Sequence, residues 1–363
     1  MDDETWARFR TAARDCTDTV FWHPVRTPAE VLRSLADAAE ELDVTWDQYA
    51  ARGPVARLED ELTELFGTGG AAFFPSGTMA QQAALRVWCD GAGTRRVAMP
   101  DIAHPLVHEQ DGPRRLHGFE VEHLTTGHEV ATAASLAAIP GRLGAVLVEL
   151  PLRDAGCLLP TWEELTELSA AARQRGVRLH VDGARIWESQ PFYDRPFTEV
   201  AALADSMYVS FYKGLGGLAG AALVGPTDFL EEARVWRSRM GGTLYRSTPE
   251  AVAALVGLRD LLPRMPECLA WARALATELA AVGVTATPQE PHTPTFRVFA
   301  AGDADEVNDR VIARMERTRV QVGGLWTPAD EPRRVTSELM VTVPALAHDP
   351  ATVASYLAEV VSG

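Results

Sequence analysis

Short apolar runs alternate along most of the chain with longer stretches in which apolar positions recur at helical spacing. Such runs are typical of parallel strands buried on both faces, and repeated strand-then-helix units predict a mostly parallel sheet covered by helices. The expected fold class is therefore α/β. The predicted strands are Ala71–Phe74, Arg96–Met99, Ala145–Leu150, Arg178–Val181, Ser206–Ser210 and Ala221–Val224, and the predicted helices are Thr78–Cys89, Trp162–Gln174 and Thr248–Leu262.

A domain boundary is predicted where Pro263 and Pro266 interrupt a helical pattern. Before it lies a large domain, residues 46–263, and after it a smaller C-terminal α+β domain, residues 264–363. Residues 1–45 form no strand–helix unit and are expected to be an arm that packs on the large domain or on a neighbouring subunit. The segments that carry the α+β pattern are Cys268–Val282, Thr295–Phe299, Ala304–Glu316 and Leu339–Val343.

Composition and charge narrow the class of protein. The chain has 363 residues, 47% hydrophobic and 23% charged, which is ordinary for a globular protein. Its net charge of −16 disfavours nucleic acid and membrane surfaces as partners. An acidic, polar start and the lack of a long apolar run indicate a cytoplasmic protein. The cysteines are too far apart for a disulfide scaffold or a zinc motif, and no metal site is expected; they are Cys16, Cys89, Cys157 and Cys268.

The strongest chemical signal is Lys213, which follows a short apolar strand and precedes five glycines in SFYKGLGGLAGAALVG. A lysine is usually a solvated surface charge. Apolar and glycine neighbours disfavour the ammonium form, and a neutral amine is a nucleophile suited to Schiff-base chemistry. The glycines would let the backbone approach a cofactor closely.

Three further segments carry candidate chemistry. In LHVDGARIWES, Asp182 ends an apolar strand and Arg185 follows it, at the edge of a parallel sheet where ligands bind. Asp182 is either a helix N-cap or a partner for the protonated ring nitrogen of pyridoxal phosphate. In FFPSGTMAQQAAL, small residues at a helix start offer backbone N–H groups to a phosphate. DIAHPLVHEQDG contains His104, which alone is more often structural than catalytic.

In this order, the four segments resemble the threonine aldolase and β-eliminating lyase family of pyridoxal-phosphate enzymes, over roughly Asp18 to Gly242 and most specifically in PSGTMAQQ, HVDGAR and SFYKGLGG. The resemblance implies fold type I, the aspartate-aminotransferase-like fold, with a seven-stranded type of sheet in the large domain. It also implies a homodimer or homotetramer whose active sites are shared between subunits.

The resemblance assigns a role to each matching residue. It implies that Lys213 bonds covalently to the cofactor, that Asp182 binds the pyridine nitrogen and that His104 stacks on the ring, with Glu109 at the expected distance after it. Arg185 would meet the substrate carboxylate, a task that suits a planar bidentate donor. The phosphate would be held by Ser76, Gly77 and Thr78, and by Arg246 of the neighbouring subunit, although the family pattern places an arginine one position earlier, at Tyr245.

Two departures from the family pattern concern the substrate. Leu152 stands where these aldolases carry a histidine near the substrate hydroxyl, so either His104, a water or another residue removes that proton, or the reaction differs. The segment Thr336–Pro344 lacks the family's carboxylate-binding arginine. The substrate carboxylate then relies on Arg185 alone or on Arg153 from the altered loop, and Arg297, Arg333 and Arg334 are further candidates.

The leading hypothesis is an aldolase that cleaves a β-hydroxy-α-amino acid, threonine-like, to glycine and an aldehyde. The alternative is a pyridoxal-phosphate-dependent β-eliminating lyase or racemase, whose reaction begins at the Cα–H bond. A protein of a different class, one that binds the cofactor without catalysis, is disfavoured by the intact Lys213, Asp182 and phosphate turn. The sequence leaves the substrate side chain and its stereochemistry open.

Overall fold

The structure is a computed structural model that describes residues 3–362. Its strands are β1 Asp18–Thr19, β2 Gly70–Phe74, β3 Arg96–Met99, β4 Glu120–His123, β5 Ala145–Glu149, β6 Arg178–Gly183, β7 Ser206–Ser210, β8 Ala221–Gly225, β9 Thr285–Thr287, β10 Thr295–Ala301, β11 Val320–Gln321, β12 Thr327–Pro328 and β13 Arg334–Met340.

Helices make up most of the rest of the described chain. They are α1 Asp3–Asp15, α2 Pro28–Glu41, α3 Gly53–Phe66, α4 Gly77–Ala92, α5 His104–Val107, α6 Gly112–His117, α7 Ala133–Ala138, α8 Trp162–Arg175, α9 Ile186–Tyr193, α10 Phe197–Ala202, α11 Thr227–Arg239, α12 Thr248–Asp260, α13 Met265–Ala281, α14 Ala304–Thr318 and α15 Pro350–Ser362. Short 3-10 turns lie at Arg153–Ala155, Leu262–Arg264 and Val343–Ala347.

The larger of two compact units runs from Leu35 to Leu262 and contains a seven-stranded sheet of order β2-β8-β7-β6-β5-β3-β4. Of the seven strands of this sheet, β8 alone runs opposite to the other six, so its pairs with β2 and β7 are antiparallel. The other neighbouring pairs are parallel. The predicted α/β class with a mostly parallel seven-stranded sheet is confirmed. The sheet's central strands are buried on both faces because helices cover them, as the continuous apolar runs predict.

The six predicted strands of this unit all form, with ends that differ from the expected ones by at most two residues. The edge strand β4 was not predicted. Its sequence, EVEH, is polar and at least partly exposed at every position, so it carries no apolar run. A prediction that relies on buried apolar runs therefore misses a strand at the sheet edge.

The smaller unit combines the chain up to Ser34 with the chain from Pro263 onward. Its four-stranded antiparallel sheet, of order β12-β13-β10-β9, packs with α13, α14 and α15 around an apolar core. The prediction that residues 1–45 form an arm on the large domain is wrong for the part up to Ser34, while packing on a neighbouring subunit stays a prediction. Phe9, Ala12 and Phe21 belong to the core of the smaller unit, and β1 pairs in parallel with β11.

The segment Leu339–Val343, expected to carry part of the α+β pattern, only partly overlaps a strand. The strand β13 begins earlier and ends at Met340, while Val343 starts a 3-10 turn. Polar residues alternate with apolar ones before Leu339, which is the pattern of a strand with one buried face. The apolar run MVTV therefore marks the end of the strand rather than its centre.

Candidate active site

The parallel strands β5, β6 and β7 bring candidate residues to one edge of the large sheet. Asp182 on β6 lies opposite Glu149 on β5 and Tyr208 on β7. Lys213 follows three residues after β7 ends. Because parallel strands share their carboxyl edge, residues from separate segments meet there, which is where open α/β sheets bind ligands.

The environment of Lys213 changes its protonation. Burial, followed by the nearby charge of Arg185, lowers the pKa of Lys213 to about 8, and Asp182 and Glu188 act in the opposite direction. An ordinary lysine has a pKa near 10.5. The amine is therefore partly neutral close to physiological pH, as Schiff-base chemistry requires.

Asp182 is 4% exposed, and its carboxylate accepts hydrogen bonds from the chain around it. One oxygen accepts from the backbone N–H of Ala184 at 2.9 Å, and the other accepts from the side-chain amide of Gln81. Burial raises the pKa of Asp182, while Lys213 and the Ala184 N–H lower it. The hydrogen-bond donors and the lysine thus favour the ionised form that burial opposes.

A line of hydrogen bonds extends from Asp182 into the core. The Gln81 carbonyl oxygen is 2.7 Å from Nε2 of His180, and Nδ1 of His180 is 2.8 Å from Oγ of Ser206. The indole N–H of Trp88 donates to the same Oγ at 2.8 Å. Burial lowers the pKa of His180 to about 3, so this ring is neutral.

The carbonyl oxygen of Gln81 determines which atom donates in each of these hydrogen bonds. Because an amide oxygen can only accept, Nε2 of the neutral His180 carries the proton and Nδ1 accepts from Ser206. The amide group of Gln81 then points its N–H at Asp182. Sequence reasoning missed this set. The sequence did contain a signal for this set of residues, because His180 and Asp182 are two residues apart on one strand and so face the same side.

The predicted phosphate turn lies between β2 and α4. Ser76 is the N-cap of α4 and accepts from the backbone N–H of Met79 at 3.3 Å, and Ser76 and Thr78 are both exposed. A Cβ at Gly77 would lie 2.1 Å from the hydroxyl oxygen of Tyr208, so only glycine lets the turn lie this close to β7. The helix start is open to an anion at the sheet edge that holds Asp182.

His104 begins α5 and is held at two points. Its backbone N–H donates to Glu149, and its Nδ1 lies 3.2 Å from Oε1 of Glu109. Gln82 donates to the other oxygen of Glu109 at 2.8 Å. Burial, followed by the charge of Asp182, raises the pKa of Glu149 to about 8. The side chain of His104 remains about one-third exposed, so its ring is fixed in orientation but accessible.

Arg185 and Arg153 are the two arginines predicted to bind the substrate. The positive charge of each lowers the pKa of Lys213. Arg185 is 5% exposed, and its Nε lies 3.7 Å from Oε1 of Glu188. Arg153 is part of the 3-10 turn after β5, and its guanidinium donates to Asp154 at 3.2 Å. Their charge suits a carboxylate ligand.

Arg246 lies in a different setting. Its guanidinium donates to the backbone oxygen of Asp47 and stacks over Tyr245, with a centroid distance of 4.4 Å. It also lies 5.4 Å from the centroid of Trp46. The predicted role for Arg246, the phosphate of a neighbouring subunit, stays a prediction. Tyr245, where the family pattern places an arginine, is exposed.

The described residues fit pyridoxal phosphate. A lysine of lowered pKa, a buried carboxylate and an open helix N-terminus are what the cofactor takes from a protein. Gly77 has no Cβ that would clash with the Tyr208 hydroxyl, so the start of α4 can lie close to β7. Within residues 3–362, no group of three or more His, Cys, Asp or Glu side chains is arranged to hold a metal ion. None of the helices in this range is long and apolar enough to cross a membrane.

Known proteins of one family are similar to this chain. The family model described as beta-eliminating lyase matches residues 27–302, about three quarters of the chain. Low-specificity L-threonine aldolase from Escherichia coli (strain K12) is 28% identical over 272 residues, which are 73% of this chain and 81% of that protein. Low-specificity L-threonine aldolase 1 from Arabidopsis thaliana is 29% identical over 254 residues, which are 66% of this chain and 69% of that protein.

A solved structure is similar over nearly the whole chain. It is a Listeria monocytogenes EGD-E protein provisionally assigned as an L-allo-threonine aldolase, with 32% identity and a TM-score of 0.90, and the match covers 98% of this chain and 99% of that one. The predicted fold type I is thereby confirmed.

Proposed function

The chain belongs to the beta-eliminating lyase family, and from this premise we propose that the protein is a pyridoxal-phosphate-dependent aldolase. It cleaves a β-hydroxy-α-amino acid of the threonine type into glycine and an aldehyde. The observation that supports this most directly is the meeting of Lys213, Asp182 and Arg185 at one sheet edge, where Arg185 lowers and Asp182 raises the pKa of Lys213, and Lys213 lowers that of Asp182. The relatives named as threonine aldolases favour this reaction within the family.

Each part of the cofactor has a group to receive it. Lys213 would bond covalently to it, Asp182 would face its pyridine nitrogen, and His104 would lie against its ring. Ser76, Gly77 and Thr78 would hold the phosphate at the start of α4. When bound, pyridoxal phosphate supplies an electron sink that stabilises the negative charge left on Cα.

The chain's own residues then orient the substrate. Arg185 is fixed in a buried position and would bind the substrate carboxylate with its planar guanidinium, with Arg153 as a second cation at the same edge. No arginine lies in Thr336–Pro344. Of the nearby candidates, Arg297 lies opposite Glu338 on the neighbouring strand, and Arg334 donates to Glu331 at 3.0 Å. We assign the main part in carboxylate binding to Arg185 because it is buried and acts on the pKa of Lys213.

The proposal includes a cytoplasmic homo-oligomer, a dimer or tetramer with shared sites, in which Arg246 completes the phosphate site of the neighbouring subunit. Three aromatic side chains beside Arg246 support it, because they are more than half exposed: Trp46 at 64%, Tyr49 at 55% and Tyr245 at 53%. Aromatic side chains and arginine are enriched in subunit interfaces. The functional division is a large cofactor domain and a smaller C-terminal domain.

The test combines a spectrum with a product assay. The purified protein with pyridoxal phosphate should absorb in the visible region, and threonine or phenylserine should give equal amounts of aldehyde and glycine. Serine serves as the comparison substrate. A coloured protein that releases ammonia and a keto acid, without aldehyde, would refute the aldolase assignment.

β-Elimination or racemisation is the second candidate, and one observation favours it. Leu152 replaces the histidine expected beside the substrate hydroxyl, and its side chain is buried. A reaction that begins at Cα–H has no need of that histidine. The same assay separates the two, since elimination gives ammonia and racemisation gives only the opposite enantiomer.

A further inference from the structure

Aldol cleavage requires a group that removes the proton of the β-hydroxyl, because Cα–Cβ cleavage proceeds from the alkoxide or its equivalent. Leu152 cannot supply that group. It is 2% exposed and lines a small cavity whose residues are apolar except for Glu149. The turn that follows Leu152 nevertheless carries charged residues on the same stretch of chain, Arg153 and Asp154.

Asp154 contacts a second histidine at this edge. Its Oδ2 lies 2.7 Å from Nε2 of His108, and its Oδ1 accepts from Arg153 at 3.2 Å. The side chain of His108 is 37% exposed and that of Asp154 only 16%. A mostly buried carboxylate therefore holds an accessible imidazole in one orientation.

In the sequence, His108 follows His104, the residue expected to stack on the cofactor, by one helical turn. His104 and His108 are four apart in the helical turn HPLVH, and the backbone N–H of His108 donates to the His104 carbonyl at 2.9 Å. Residues at this spacing lie on one face of a helix. Their ring centroids are accordingly 5.1 Å apart, with the planes tilted by 46°.

We propose that His108, oriented by Asp154, is the general base that takes the β-hydroxyl proton of the substrate, a role that rests on the proposed aldolase function. The pair supplies from α5 and the 153–155 turn the imidazole that position 152 lacks. His108 is the catalytic residue in this proposal, and Asp154 is a positioning residue.

The bond to Asp154 determines which nitrogen reacts. A carboxylate accepts only, so Nε2 of neutral His108 donates to Asp154 and Nδ1 carries the lone pair. Nδ1 takes the hydroxyl proton, and the O–H electron pair becomes the second bond of the aldehyde carbonyl. The Cα–Cβ bond breaks, and its electron pair remains on Cα until a proton adds there to complete glycine.

Other charged and titratable groups surround the pair. His104 faces His108 on the same helix face, Arg153 contacts Asp154, Glu109 contacts His104, and Glu149 receives N–H groups from both His104 and Arg153. The contribution of His108 to activity is therefore tested apart from these groups, at one fixed pH and with a variant that removes only its imidazole.

The test uses His108→Ala in the cofactor-loaded enzyme. We expect kcat for phenylserine to fall about 100-fold or more, because general base catalysis contributes roughly 10²–10⁴. KM and the visible absorbance should change little. Exchange of the glycine Cα–H in D₂O, which needs no β-hydroxyl base, should fall less than about threefold, and added imidazole should restore part of kcat.

Two companion variants complete the experiment. Asp154→Asn should lower kcat by a smaller factor, with His108 present but less well oriented. His348→Ala is the matched control, since it removes a comparable His–Asp pair, His348 with Asp18 at 3.3 Å, in the smaller unit. Its kcat should equal that of the wild type.

The possible outcomes have separate meanings. Retained cleavage by His108→Ala overturns the role of His108 and leaves the aldolase function intact. Equal loss of cleavage and glycine exchange overturns it too, since the variant then disturbs the whole site. A wild-type enzyme that forms no aldehyde overturns the proposed function, and this inference with it.

Discussion

Lys213 combines a nucleophilic amine with surroundings that keep it partly neutral. Its pKa of about 8 results first from burial and then from Arg185, while Asp182 moderates the shift. The neutral form is the nucleophile, so the apoprotein should attach pyridoxal phosphate faster as pH rises. The rate of pyridoxal phosphate attachment can therefore be measured as a function of pH.

We expect the rate of covalent attachment to rise with pH and to level off above about 8 in the wild type. Arg185→Met removes a cation that lowers the pKa of Lys213, so the midpoint should move to higher pH. Stopped-flow absorbance of the apoprotein mixed with pyridoxal phosphate measures both profiles. An identical midpoint in the two proteins would show that Arg185 does not act on the amine.

His180 affects stability through its charge. Its pKa is about 3 in the folded protein against an ordinary 6.5, so between these values the unfolded chain binds more protons. The free energy of unfolding therefore falls as pH falls below 6.5, by up to about 1.4 kcal/mol per pH unit from this group.

His180→Asn should have a shallower loss of stability in acid than the wild type. The asparagine keeps a polar group beside Ser206 but has no proton to gain. Urea unfolding of both apoproteins at pH 7 and pH 5 gives the comparison. Equal changes in unfolding free energy for the two proteins would rule out a buried neutral His180.

Local sequence identified Lys213 and Asp182 because their neighbours are unusual for charged residues. It did not single out His108 or Gln81, because their roles arise from partners distant in the chain. Asp154 is 46 residues from His108, and Asp182 is 101 residues from Gln81. Such pairings depend on strand order, which no local pattern contains.

Helix α4 contributes three features to the candidate site. Its N-terminus forms the predicted phosphate turn, Gln81 donates to Asp182, and Gln82 donates to Glu109 beside His104. Gln81 and Gln82 are each 1% exposed. Neighbouring positions on one helix thus support two different residues of the site.

The two glutamines should therefore differ when replaced. Gln81→Leu removes the side-chain amide that donates to Asp182, so we expect a higher pKa for Asp182 and pyridoxal phosphate binding weaker by about tenfold or more. Gln82→Leu should lower turnover with a smaller effect on binding. Absorbance titration with the cofactor and a kcat measurement test both. Equal binding losses in the two variants would contradict separate roles.

The elements themselves were largely predictable from buried apolar runs. The exceptions are instructive: β4 is polar because it forms the sheet edge, and β13 starts before its most apolar residues because one face is exposed. The helix α1 contributes Phe9, Ala12 and Ala13 to a core formed mostly by residues beyond Pro263. No local pattern reports so distant a partner.

At the scale of the whole molecule, the exposed aromatic residues near Arg246 are the feature that a single chain leaves without explanation. Trp46, Tyr49 and Tyr245 lie together, with Tyr49 and Tyr245 rings 5.3 Å apart. A second copy of the chain would cover them in the proposed oligomer. The consequence is a measurable exchange of function between subunits.

Lys213→Ala and Arg246→Met should each be inactive as pure proteins. In a randomly mixed dimer, half the molecules are hybrids and each hybrid has one site with both native residues, so about a quarter of wild-type activity should return. Refolding equal amounts of the two variants together, followed by the aldehyde assay, gives the result. No recovery, with hybrids shown by mass spectrometry, would place Arg246 in the site of its own subunit or outside it.

Lys213 is the only lysine in the 363 residues, all other basic side chains being arginine or histidine. The chain therefore offers amine-directed chemistry a single side chain, which is also the one of lowered pKa. Borohydride capture of the bound cofactor should leave one labelled side chain per subunit, readable by intact mass without peptide mapping. An acylating probe applied near pH 8 would likewise count unoccupied sites, with the N-terminal amine as its only competitor among primary amines.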